Sequence, residues 1–363
     1  MRSVKAFSTL AAFALIVAAV GSVLFIGRQE ILFVHSVPVG NPVTQVFLEP
    51  GTQDPSQEPV VADDPAPSPR SVYAQTRIML LTLLPVAGTT DTLLELDKIT
   101  RLDPQIAGVC HALAHDLGHA ALILAHGEVS QVLNDRDDVC GGGFTHGVVE
   151  QALGKSKNLV RDLLRICAPR QDGSCFHGVG HGLMFATDMK VADALDFCDR
   201  APAEILAHRC GEGVFMQYFS VDIAGGHWNR SGAPSPTMDD ALDTCGRTRS
   251  FYAANCWFYA PTVWLAERVD DYEGALDWCR SVGADLWQAT CARGVGSRTI
   301  KYHPDNPLIG AAVCGAAGSL RDPCLAGMGS YWSVHWKGER PARDVCRLLG
   351  DAELARRCLL VTT

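Results

Sequence analysis

The spacing of the cysteines constrains what this chain can fold into more than any other feature. Fourteen cysteines all lie beyond residue 109. They fall into short-range couples: Cys167 with Cys175, Cys198 with Cys210, Cys245 with Cys256, Cys279 with Cys291, Cys314 with Cys324 and Cys346 with Cys358, leaving Cys110 and Cys140 to each other. The second members, from Cys140 through Cys175, Cys210, Cys256, Cys291 and Cys324 to Cys358, are separated by 35, 35, 46, 35, 33 and 34 residues. A period of that length with two helices per unit is the signature of an α-solenoid, in which each unit buries its apolar face only against its neighbours. The one long gap contains "DIAGGHWNRSGAPSPT", residues 222–237, whose glycines and prolines mark an inserted loop.

Within one unit, as in "YEGALDWCRSVGADLWQATCARGV", Ala275, Leu276 and Cys279 keep helical spacing. The pattern reads short helix, cysteine, turn, cysteine, longer helix. A cysteine that ends one helix and another that opens its antiparallel neighbour lie within disulfide reach. The expected fold is therefore all-α: a solenoid of disulfide-stapled helix-turn-helix repeats over residues 72–363. Residues 72–190 form its histidine-rich units and residues 191–363 its purely cysteine-stapled ones. With couples such as "CAPRQDGSC" and the recurring "ALDFC", "ALDTC" and "ALDWC", residues 156–363 resemble the cysteine-rich Sel1-like branch of tetratricopeptide-type repeats. That resemblance implies a curved helical scaffold with one disulfide per helix pair and a face for a protein or peptide partner. It implies no catalytic residue, and the histidines described below fall outside its pattern.

Ahead of the repeats, Arg2 and Lys5 precede an uncharged apolar run from Ala6 to Ile26, closed by Arg28. Residues 1–28 read as a signal-anchor, long enough to cross a bilayer, with cleavage after Gly21 as the rival reading. Either places the remainder outside the cytoplasm, membrane-tethered or secreted, where an even set of cysteines forms disulfides. Residues 29–71 are rich in proline and polar side chains and read as a flexible linker. A net charge of −9 removes any general electrostatic reason to bind nucleic acid or an anionic membrane surface.

Aligning the units on their second cysteine exposes a ladder of histidines. His146 stands six residues after Cys140, His181 six after Cys175, and His115 five after Cys110. The same slot later holds Met216, Thr262, Ser297 and Ser330. Each of the three histidines has companions at helical i, i+4 spacing: His111 and His119 flank His115, Glu150 follows His146, and His177 precedes His181. Residues four apart share one face of a helix, which suits two side chains to one ion. Neutral imidazole with a carboxylate suits zinc, copper or iron, while bridged cysteines take thiolate coordination out of play. Asp116 and Glu150 are candidates for a ligand, for orienting an imidazole, or for a base on metal-bound water.

Taken singly, His126, His208, His227, His303 and His335 read as ordinary structural or surface histidines. The tryptophans of the later units read as packing, and Asn229 in "NRS" is a glycosylation sequon only in a eukaryotic source. The glycines in "CGGGFTHG", "CFHGVGHG" and "CGEGVF" permit close helix contact. No phosphate loop, haem attachment, zincin pair or nucleophile elbow is present. Three functions stay open on the sequence. The leading one is a histidine-rich metal centre in a copper or iron oxidoreductase or a metal-dependent hydrolase. The others are a non-enzymatic binding solenoid for a protein, peptide or cell-wall component, and a metal chaperone or sensor.

Overall fold

A computed structural model describes residues 69–133, 139–168, 172–220, 235–336 and 339–362. The apolar run Ala6–Ile26, the linker up to residue 68, His227, Asn229 and most of the 222–237 insertion lie outside the described residues. The described residues are helical, with no strand among them. In chain order the helices are α1 (Pro69–Leu102), α2 (Pro104–Leu124), α3 (Val129–Leu133), α4 (Gly143–Leu153), α5 (Leu159–Ile166) and α6 (Gly173–Ala186). They continue with α7 (Val191–Cys198), α8 (Glu204–Phe219), α9 (Met238–Arg247), α10 (Ser250–Tyr259), α11 (Pro261–Glu267) and α12 (Tyr272–Arg280). The last are α13 (Asp285–Tyr302), α14 (Pro307–Ala316), α15 (Arg321–His335), α16 (Arg343–Arg347) and α17 (Ala352–Val361).

Local chemistry places the helix starts. Asp103 accepts from the Gln105 amide with Pro104 at the first helical position of α2, and Asp172 accepts from the Cys175 amide at 2.9 Å to open α6. Thr237 and Asp240 form a capping box that begins α9 directly after the insertion. Helix α1 was not legible as an element, because proline and polar residues lead into it. It nevertheless starts at Pro69 and bends at Gly88, whose φ of 82° is left-handed. By length and composition α1 and α2 could each cross a membrane; α2 is mostly buried among its neighbours, as a core helix is.

The longer helices pack in succession, α1 on α2, then α4, α6, α8, α10, α13, α15 and α17, and the shorter helices pack beside them. All fourteen cysteines are paired in the seven couples named above, with Cα atoms 5.4–5.8 Å apart. In six of the couples the bridge joins one helix, or its C-cap, to the helix that follows, and in five of these the second helix is the longer. Cys110–Cys140 instead ties the body of α2 to the turn before α4. Glycine lets the long helices cross almost backbone to backbone. A Cβ on Gly147 of α4 would lie 2.1 Å from the His115 carbonyl of α2, and one on Gly213 of α8 would lie 1.9 Å from the His177 carbonyl of α6. The row also turns back on itself: α13 touches α2, Arg101 at the end of α1 pairs with Glu339 at 3.6 Å, and a Cβ on Gly141 would lie 3.0 Å from Val334 on α15.

Candidate metal centre

The close crossings bring three successive long helices together at one point. His111 and His115 of α2, His146 of α4 and His181 of α6 offer ring nitrogens that all lie within 4.8 Å of one another. The ring centroids of His115 lie 4.9, 5.5 and 5.1 Å from those of His111, His146 and His181. His115 and His181 have no exposed surface, and His146 is 3% exposed. A second group shares His115: its Nδ1 lies 3.2 Å from Glu150 Oε2, and His119 Nε2 lies 3.1 Å from Glu150 Oε1.

Hydrogen bonds fix which nitrogen of each ring faces the centre. His111 Nδ1 donates to the Cys140 carbonyl at 2.7 Å, His115 Nδ1 donates to the Glu150 carboxylate at 3.2 Å, and His181 Nδ1 donates to Gln217 Oε1 at 2.8 Å. Each acceptor therefore selects the tautomer that leaves Nε2 as a lone pair, the arrangement in which a metal-binding imidazole is oriented through its other nitrogen. His146 Nδ1 is buried without a hydrogen-bond partner. Burial and the neighbouring imidazoles hold His146 neutral, well below the ordinary histidine pKa; burial and the charge of Lys301 do the same for His111.

The remaining candidates from the sequence stand at different distances from this point. His177 stacks on His146 with ring centroids 4.5 Å apart but is not one of the four. Its Nδ1 faces Glu212 of α8 at 3.7 Å, and Glu212 also meets Arg209, with His208 at 3.6 Å. Burial alone would raise the Glu212 carboxyl; hydrogen bonds from His177 and His208 with the charge of Arg209 outweigh it and bring it down to about 2. Asp116 is not brought into the cluster. One residue beyond His115 it turns about 100° around the helix, where the Tyr73 hydroxyl and Arg77 Nε of α1 hold it. Its role is to tie α1 to α2.

Sequence reasoning passed over two groups here. The Cys140 carbonyl carries no side-chain signal. Gln217 lies seven residues after Cys210, one place beyond the Met216 slot, and is 1% exposed. A buried glutamine in a unit that lacks the histidine was the available clue.

The four imidazoles suit a transition-metal ion. For a tetrahedral ion with metal–nitrogen bonds of about 2.0–2.1 Å, ligand nitrogens sit about 3.3 Å apart, and His111 Nε2 and His115 Nε2 are 3.2 Å apart. No protein family model, curated protein or solved structure matches the chain.

Proposed function

We propose that this chain is an exported helical-repeat metalloprotein whose first three repeats bind one transition-metal ion through His111, His115, His146 and His181. One observation carries the reading. His111 and His115 each use Nδ1 as a donor, so their two Nε2 lone pairs point at each other across 3.2 Å, with His115 fully buried and His111 half-buried. Two lone pairs at that separation repel unless a cation lies between them. Burial disfavours a proton there, because the imidazolium would have to be desolvated. A metal ion resolves the conflict and takes the other two histidines as well. The repeats themselves are read as a solenoid of the expected period, curved until its later units meet its first ones.

The ligand set favours redox chemistry over hydrolysis. Four imidazoles complete the tetrahedron of zinc and leave it no position for the water that a hydrolase activates. Iron and copper accept a fifth or sixth ligand from the same set, so a four-histidine site on either keeps an open position. The leading function is therefore an extracytoplasmic iron or copper oxidoreductase. Glu150 orients His115 and engages His119 in this reading, rather than serving as a base on bound water.

The test is elemental analysis of the full chain purified without a histidine tag, beside the H115A/H146A/H181A triple variant. Iron or copper near one per chain, absent from the variant, is the expected result. Retention of the metal by the folded variant, or no metal after reconstitution, would overturn the reading.

A further inference from the structure

Helix α2 carries histidine on three successive turns, His111, His115 and His119, where α6 follows His181 with Phe185 and α4 follows His146 with Glu150. His115 therefore has a neighbour on either side. Its Nε2 lies 3.2 Å from His111 Nε2, and its Nδ1 lies 3.2 Å from Glu150 Oε2. The other oxygen of Glu150 reaches the next turn of α2, with Oε1 3.1 Å from His119 Nε2. His115, Glu150 and His119 are 0%, 1% and 6% exposed, and one donor atom from each lies within 4.8 Å of the others. The crossing of α2 and α4 fixes the trio from both sides. A Cβ on Gly118, between His115 and His119, would lie 2.3 Å from the Phe144 carbonyl, and one on Gly147 would lie 2.1 Å from the His115 carbonyl.

Two imidazoles and a carboxylate form a donor set that binds zinc or iron(II) and leaves coordination positions open. Bonds of about 2.0–2.2 Å to such ligands put neighbouring donor atoms roughly 3.3 Å apart, close to the two separations that Glu150 makes. Charge argues the same way. Four neutral imidazoles bring no negative charge to a buried dication, and an uncompensated ion in the interior is costly. Glu150 supplies one negative charge. His115 supplies another when its Nδ1 proton is displaced to solvent by a second ion, as metal binding displaces protons from ligands in general. The shared ring is then an imidazolate bound through both nitrogens, and the second ion adds a net charge of one rather than two.

We infer that a second transition-metal ion binds between His119 Nε2, the Glu150 carboxylate and His115 Nδ1, sharing His115 with the first. The sharing rests on the four-histidine reading; the three-donor site itself does not. With three protein ligands and a proton to displace, this site is the weaker one. It fills second, so the protein as purified holds one ion and added metal supplies the other. In the doubly loaded protein Glu150 exchanges its orienting role for that of a ligand, and the second ion adds a position where a substrate can bind.

The experiment is calorimetric titration of the chelated full chain with zinc(II), beside His119→Leu and His181→Leu, with thermal unfolding to report that each variant has folded. The expected result is two ions per chain in the unsubstituted protein. His119→Leu loses the weaker step, and His181→Leu keeps it while the tighter step weakens at least tenfold. Loading with copper(II) reads the shared ligand without any substitution, since two ions on one imidazole give an exchange-coupled electron paramagnetic resonance spectrum. If His119 only donates to Glu150, folded His119→Leu binds as many ions as the unsubstituted protein. That outcome, or two uncoupled copper signals, would overturn the second site and leave the four-histidine reading standing. A single ion lost in His119→Leu but kept in His181→Leu would support the three-donor site and sink the four-histidine reading. No binding in folded protein would overturn both.

Discussion

At the residue scale, the site depends as much on what orients the imidazoles as on the imidazoles. Glu150→Gln keeps the shape of the side chain and removes its charge, so His115 loses its anionic acceptor. Loss of such an orienting partner costs about 10–100-fold in metal affinity, to be read by chelator competition on folded protein. Acid should weaken the metal-free protein, and the sign follows from burial. His111 and His146 hold folded pKa values well below normal, whereas the unfolded chain takes up protons near 6.5. Stability is therefore full above about pH 6.5 and falls as the pH drops below it. A thermal midpoint of the chelated protein that stayed constant from pH 7.5 to 5.5 would contradict this. The histidine register was visible in the sequence because His146 and His181 stand six residues after a cysteine and His115 five. Orientation was not, because a backbone carbonyl of Cys140 and a glutamine in the fourth unit supply it. Asp116 shows the converse: adjacency to His115 suggested chemistry, but helical rotation turns it toward Arg77.

At the scale of elements, the helix crossings decide whether three ladders converge. The contact of Gly147 with the His115 carbonyl leaves no room for a methyl group, so Gly147→Ala must separate α2 from α4. Overpacking of this kind costs about 1–3 kcal/mol, measurable by denaturant unfolding, and the metal should be lost with it because His146 moves away from His115. Asp116→Ala separates stability from metal binding. It leaves Tyr73 and Arg77 without their acceptor and should cost about 1.5–3 kcal/mol, while metal content stays at the wild-type level. A variant that folds but purifies without metal would return Asp116 to the site. The short and long helices of the later units followed from apolar spacing around each couple. Helix α1 did not, because the polar contact of Tyr73 and Arg77 with Asp116 that helps dock it spans about forty residues of chain.

At the scale of the whole molecule, the bridges staple units that are individually thin. Six of them close separations of 8–12 residues and the seventh one of 30. On the entropic account each short loop contributes about 3 kcal/mol. Reduction should therefore lower the thermal midpoint in steps and release bound metal before full unfolding, since Cys110–Cys140 and Cys167–Cys175 anchor the helices that bear the ligands. Metal retained in fully reduced protein would show that the crossings alone hold the centre. The return of α13 to α2 has a further effect. An open repeat array tolerates duplication or loss of a unit, because each unit knows only its neighbours. Here the contact of α13 with α2 adds a constraint. Inserting or deleting a helix pair between α6 and α13 would break that contact, whereas substitution within the helices leaves it in place.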